Sequence, residues 1–266
     1  MIDPSLTNTI LARIETGLAA PHRKPLVVGI SGAQGSGKTT LVAHLVAQLE
    51  TSGLRVARLS LDDLYLTRAE RQQLAREVHP LFATRGVPGT HDVALGLDLI
   101  AELERGDVAA LPRFDKASDD RAPQADWPRA PADAEVLLIE GWCLGARPQN
   151  DVSAPVNALE AAEDPLGVWR THANASLASD YQRLFARIDC LVMLAAPDWD
   201  IVALWREQQE AELRAKGGAA VMNPAEVSRF IQHYERLTRW MLEEMPARAD
   251  LVVRLGKTRE VLSLEG

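Results

Sequence analysis

A P-loop NTPase-type α/β domain, doubly wound around a mainly parallel five-stranded sheet with helices on both faces and a helical lid, is the fold this sequence predicts. Three observations predict it. Apolar runs of strand length at residues 25–30, 54–61, 136–139, 190–194 and 249–255 alternate with segments of helical period. No hairpin turn signal joins the first two runs, so the connection is a crossover and the strands are parallel. Between the first run and the first long helical pattern lies Gly32-Ala33-Gln34-Gly35-Ser36-Gly37-Lys38-Thr39, followed by Thr40, which matches G-x-x-x-x-G-K-[ST] in a strand–loop–helix setting.

In chain order, Leu6, Ile10, Leu11, Ile14 and Leu18 give residues 1–24 a weak helical stripe. The strand at 25–30 delivers the glycine-rich loop, whose inward N–H groups and following helix N-terminus favour phosphate. Residues 32–40 are therefore the candidate nucleotide cradle. Lys38 would reach the terminal phosphates and the Thr39 hydroxyl would bind Mg²⁺, with ATP as the nucleotide. Leu41, Leu45 and Leu49 carry the helix to about residue 51, and Gly53 ends it. The strand at 54–61 ends in Asp62-Asp63-Leu64-Tyr65. Ligands of open α/β sheets sit beyond the carboxyl ends of the strands, so both acids belong in the site region.

Residues 67–78 read as a polar helix, and Asp92 as the cap of a helix running to about 104. Residues 106–134, rich in Pro, Asp and Arg, show neither period; long irregular connections inside a domain are commonly functional. The buried strand at 136–139 ends in Glu140, which would lie beside the phosphate loop and hold Mg²⁺ or its water shell. Residues 143–170 form a second Pro- and Ala-rich excursion, followed by a helix at 174–186 and a strand at 190–194. Residues 201–216 form an amphipathic helix carrying Arg206 and Arg214, two turns apart, which would close over the phosphates and exclude water. A longer helix occupies 224–244, a strand at 249–255 closes the sheet, and Gly256-Lys257-Thr258-Arg259 turns out of it. The chain is read as one domain over 1–266, with substrate-side helices and loop at 67–133 and the lid at 199–222.

Composition narrows the partners. Net charge is -8, which disfavours a nucleic-acid ligand while leaving room for a local basic pocket. Two cysteines, Cys143 and Cys190, are too few for a disulfide scaffold or a Cys-rich metal site. No membrane span or signal segment is visible, so a cytoplasmic protein is expected, monomeric or homodimeric.

Asp62 and Asp63 lie where a phosphoryl acceptor would sit, and one of them as general base would orient and deprotonate its hydroxyl. The guanine-recognition pattern Asn-Lys-x-Asp is absent. A small anionic hydroxylated substrate needs cationic partners, which Arg85, Arg113, Lys116 and Arg121 offer. Arg113 and Arg121 are the expected carboxylate clamp; His91 and Asp92 would orient hydroxyls. Asp63 and Tyr65 complete the candidate substrate set with Trp142, which would line the acceptor site or brace the loop behind it.

The sequence also resembles the D-glycerate 3-kinase family, within the class of phosphoribulokinase, uridine kinase and bacterial pantothenate kinase. The resemblance runs from residue 26 to about 255. It rests on residues 62–67 (DDLYLT), His79-Pro80-Leu81, residues 85–92 (RGVPGTHD), residues 112–116 (PRFDK), Asp120-Arg121, residues 140–145 (EGWCLG) and residues 205–210 (WREQQE) with Leu213-Arg214. It implies ATP-dependent phosphorylation of D-glycerate to 3-phosphoglycerate. It also implies Asp62 as the base, Glu140 as the acid near Mg²⁺ and the Arg206 helix as the lid. Phe114 stands where a tyrosine is usual, a Gly-containing insert after Lys116 is missing, and residues 221–224 (VMNP) replace a more usual Gly-Met-Ser/Thr-Asp. A kinase for a nucleoside, pantothenate or a sugar phosphate, and a nucleotide-sensing regulator of weak activity, are the competing readings.

Overall fold

A computed structural model describes residues 2–215 and 222–266, apart from the side chains of residues 212–214. In chain order the elements are α1 (Pro4–Ala19), β1 (Leu26–Gly32), α2 (Lys38–Thr51), β2 (Val56–Ser60), α3 (Arg68–Glu77), α4 (Val93–Glu104), β3 (Phe114–Asp115) and β4 (Asp120–Arg121). They continue with β5 (Val136–Gly141), α5 (Ala158–Glu163), α6 (Val168–Ala178), α7 (Asp180–Phe185), β6 (Cys190–Ala195), α8 (Trp199–Ala215), α9 (Pro224–Glu244), β7 (Leu251–Leu255) and β8 (Val261–Glu265).

The main sheet has the order β2-β5-β1-β6-β7-β8. Its first five strands are parallel, as the crossover argument requires, and β8 joins antiparallel to β7. The sheet is therefore six-stranded, one more than expected. β8 escapes notice because its Leu262 and Ser263 are exposed and neither Val261 nor Leu264 is fully buried, leaving no continuous apolar run. β1 and β5 are buried at every position, which fits their unbroken Val/Leu/Ile sequences and central place. β1 is flanked by β5 and β6, so the chain reverses its winding there and opens a crevice at the carboxyl ends of β1 and β5.

Two connections are more ordered than their sequences suggest, and one helix is divided. The 106–134 segment contains an antiparallel hairpin, β3 paired with β4, whose two-residue strands are too short to show a period. The 143–170 excursion holds α5 and the start of α6. The single helix expected at 174–186 is two, α6 and α7, broken at Ser179, whose backbone (φ -100, ψ -115) is not helical. Cys143 is buried and Cys190 half-buried, both as free thiols. Among the described residues no helix is long and apolar enough to cross a membrane.

Candidate active site

The phosphate loop is built by backbone. Gly35 (φ 76) and Gly37 (φ 90) occupy the left-handed region, which L side chains disfavour. A Cβ on Gly35 would stand 2.8 Å from the Trp205 Cβ, so the loop lies flat on α8; a Cβ on Gly37 would meet nothing within 4 Å, so the opposite face is open. Ser36 Oγ and Gln34 Oε1 are buried without a partner. α2 begins at Lys38, and its first N–H groups, including that of Thr40, have no intrahelical acceptor. Orphaned polar atoms, an open concave face and free helix donors fit a bound polyphosphate.

Lys38 Nζ donates to the Ala33 carbonyl at 3.0 Å, holding the ammonium across the loop. Burial lowers its pKa, while the charges of Glu140 and Asp62 oppose that. The Thr39 hydroxyl donates to Glu140 Oε1 at 2.9 Å, bringing a hydroxyl and a carboxylate side by side at the loop's end. Two protein oxygens next to phosphates suit Mg²⁺, which keeps several waters, and no cluster of three acidic, His or Cys ligands exists among the described residues.

The acceptor side is built by side chains. β2 ends at Ser60 in a 3-10 turn, Leu61–Leu64, whose buried Leu61 and Leu64 leave Asp62 and Asp63 facing the crevice. Asp62 accepts from Tyr65 OH at 2.9 Å and from Lys116 Nζ at 2.7 Å. Burial would raise the Asp62 carboxyl, but Lys116, Tyr65 and Lys38 together hold it at about 2, so it is ionised at neutral pH. Asp63 has a different partner set: it accepts from Phe114 N at 3.0 Å and from Arg113 Nη1 at 3.3 Å. Burial raises its pKa against those two contacts. Asp63 thus pins β3, and with it Lys116, onto the turn.

Arg121 Nη2 donates to the Tyr65 carbonyl at 2.9 Å and to Asp92 Oδ2 at 3.3 Å, while its buried Nε has no partner. Asp92 also caps α4 through Leu95 N at 3.0 Å, as its position in the sequence predicts. Arg85 pairs with Asp119 and lies 5.3 Å from the Phe114 ring centre. His91 Nδ1 is 2.6 Å from Tyr181 OH and its ring is 4.6 Å from that of Tyr65. Burial lowers the His91 pKa to about 4 despite the charge of Asp62, so the ring is neutral at pH 7. Trp142 is buried and donates to the Gly86 carbonyl at 3.0 Å, bracing the 85–92 segment from behind.

The structure therefore gathers Asp62, Asp63, Tyr65, His91, Asp92, Arg113, Lys116 and Arg121 around one cleft, with Arg85 joined through Asp119 and Phe114. Arg206 is engaged elsewhere, paired with Glu210 and 5.5 Å from the Phe230 ring centre. The Arg214 side chain, and residues 216–221 of the expected lid, lie outside the described residues.

Sequence reasoning missed the supports. Arg71, almost fully buried, donates to the carbonyls of Leu66 (3.2 Å), Ala83 (3.0 Å) and Asp119 (2.6 Å), stapling α3, the 79–85 segment and the β3–β4 turn together. An arginine in a polar helix carries no signal of that role. Arg259, in the β7–β8 loop, donates to the Gly35 carbonyl at 2.6 Å and lies 5.0 Å from the Trp205 ring centre. Its cue was the turn at residues 256–259.

Comparison with known proteins finds kinases over most of the chain. The phosphoribulokinase/uridine kinase family model matches residues 27–147. An uncharacterized kinase of Schizosaccharomyces pombe, mug58, is 35% identical over 223 residues, 80% of each chain. The chloroplastic D-glycerate 3-kinase of Arabidopsis thaliana is 34% identical over 221 residues, which are 79% of this chain and 46% of that one. The solved structure of a D-glycerate 3-kinase from Cryptococcus neoformans superposes with a TM-score of 0.79 at 26% identity, covering 98% of this chain and 97% of that one.

Proposed function

This chain belongs to the D-glycerate 3-kinase family, within the phosphoribulokinase/uridine kinase class of ATP-dependent phosphotransferases, and we propose that it phosphorylates a primary hydroxyl of D-glycerate to give 3-phosphoglycerate. The observation that carries the reading is the ionised Asp62 at the end of β2, set in a cleft with Arg113, Lys116 and Arg121. A small hydroxy acid needs a base for its hydroxyl and a cation for its carboxylate, and this cleft offers both.

In this reading residues 32–40 cradle the ATP phosphates through backbone N–H groups, and Lys38 leaves Ala33 for the β/γ-phosphates. Thr39 and Glu140 hold Mg²⁺, which neutralises phosphate charge when bound. Asp62 accepts the hydroxyl proton of the acceptor through Oδ2. Tyr65 fixes its other oxygen, so the carboxylate cannot rotate away. Arg121, whose Nε–H has no partner, takes the acceptor carboxylate together with Arg113, while neutral His91 and Asp92 line the hydroxyl side with Arg85 and Trp142 behind. Asp63 positions the hairpin. Arg206 and Arg214, carried on the α8 that packs against the phosphate loop, would exclude water from the phosphates.

The test is acceptor-dependent ADP release over a panel of D-glycerate, other hydroxy acids, nucleosides, pantothenate and sugar phosphates. D-glycerate is expected to give the highest kcat/KM. Turnover of an uncharged acceptor with none of glycerate would move the chain to another metabolite, and nucleotide binding without turnover of any acceptor would make it a sensor.

A further inference from the structure

We propose that Lys116 acts on the transferred phosphoryl group, supplying at the acceptor side the positive charge that completes the transfer site, rather than binding the acceptor's carboxylate. The inference rests on the kinase reading above and goes beyond it in assigning this residue.

Four observations carry it. Lys116 Nζ is 2.7 Å from Asp62 Oδ2, the same oxygen that would accept the substrate hydroxyl. A hydroxyl oxygen hydrogen-bonded to that carboxylate oxygen lies roughly 4–5 Å from Nζ, which places the ammonium within reach of the equatorial oxygens of the phosphoryl being attacked. Lys116 sits on Asp62 and Lys38 on the Ala33 carbonyl of the phosphate loop, and the charges of the two ammonium groups act on one another and on Asp62. The other cations are differently disposed: Arg113 is held by Asp63, Arg85 by Asp119, Arg121 by Asp92 and the Tyr65 carbonyl, and Arg206 by Glu210. Finally, Lys116 is the most exposed of these cations, at 63%, on a turn that Asp63 anchors through Phe114 N, so its flexible stem is free to follow the phosphoryl while its root stays fixed.

The physical need is plain. An ionised carboxylate beside the acceptor repels the incoming phosphoryl group, and a cation shared between them cancels that repulsion. In the step itself the acceptor oxygen forms the new P–O bond, the bond from the γ-phosphorus to the bridging oxygen of ADP breaks, and the hydroxyl proton goes to Asp62. Lys116 remains protonated throughout and donates to the phosphoryl oxygens.

The experiment compares wild type with Lys116→Met and Lys116→Arg. With the best acceptor, K116M is expected to lose roughly 10²-fold in kcat while the acceptor KM stays within about threefold. K116R should recover part of the loss. The pH profile gives a second readout: with Lys116 gone, only Tyr65 and Lys38 oppose burial at Asp62, so the acid limb should move to higher pH than in wild type. The third readout needs no acceptor. Calorimetry measures ADP and Mg²⁺ with and without aluminium fluoride, a mimic of the planar phosphoryl. Wild type should gain affinity from the fluoride and K116M should lose that gain with ADP affinity unchanged. A raised acceptor KM with unchanged kcat and acid limb, or an equal or absent fluoride gain in wild type and K116M, would overturn the assignment. Failure of glycerate in the wild-type panel would sink the substrate reading alone, since the calorimetric arm does not depend on it.

Discussion

The two walls of the cleft are made by different means. On the nucleotide wall, nine consecutive residues, 32–40, do almost everything, and they do it with backbone groups carried on the fully buried central strand. Glu140 arrives from the neighbouring β5, and Arg259 and Trp205 brace the loop at Gly35 from outside it. On the acceptor wall, the contacts join Asp62 to Lys116, Asp63 to Arg113 and Arg121 to Asp92, across 54, 50 and 29 positions of sequence. These are side-chain pairs on turns and a two-residue hairpin outside the main sheet. A wall of backbone is fixed by the fold, whereas a wall of ion pairs is rewritten by point substitution. The same sheet can thus keep one nucleotide and change its acceptor.

The largest expected effect breaks the nucleotide wall. Lys38→Ala removes the ammonium from the transferred phosphates and should lower kcat roughly 10³-fold or more, with the circular dichroism spectrum and melting temperature of the folded protein preserved. Turnover near wild type would dissolve the assignment of that wall. Next comes Asp62→Asn, which keeps shape but removes the proton acceptor. It should cost roughly 10²-fold in kcat with little change in ATP KM. If Asp63→Asn instead carried that loss, the base and the hairpin anchor would have to be exchanged.

The contrast between the walls also explains what could be read from sequence. The phosphate loop was legible because its chemistry is contiguous. The position of Asp62 was legible because strand ends point at the crevice, and Asp92 because a cap precedes an apolar helix. The pairing of cations with acids was not legible. Arg113 finds Asp63 only because β3 and β4 fold back on the turn after β2, and strands of two residues leave no periodic trace. Arg71 was invisible for the same reason: its three carbonyl partners lie on three segments that only the folded chain brings together. β8 was missed because its residues are too exposed to look like a strand.

A smaller effect sharpens the acceptor wall. Arg121→Met and Arg113→Met should each raise the glycerate KM and lower kcat/KM by roughly 10- to 10²-fold, leaving ATP KM unchanged. Arg121 should matter more, because its buried Nε–H has no partner in the free enzyme and desolvation is already met. An unchanged glycerate KM in both variants would move the carboxylate site to Arg85. Equal loss of ATP and glycerate affinity would mean that the two walls are not separable.

The smallest effect lies within the acceptor wall, between two adjacent acids whose pKa values shift in opposite directions. Asp62 sits at about 2 against an ordinary 3.8, burial being outweighed by Lys116, so its ionised form favours the folded state. That contribution is complete above about pH 4 and is lost as pH falls through 2. Asp63 is raised by burial, so its neutral form favours the folded state; its contribution is complete below the ordinary value and is lost as pH rises through the folded one. With the Asp62 side chain 29% exposed and Lys116 more so, solvent screening leaves about 1 kcal/mol for such a pair. Urea unfolding between pH 5 and 2 reads the balance. Removing Asp62 in D62N takes away a term lost in acid, so stability should fall less steeply with acidification than in wild type. Removing Asp63 in D63N takes away a term gained in acid, so the fall should be steeper. Parallel curves for all three proteins would show that the two acids share one environment, and the division of labour between base and anchor would go with them.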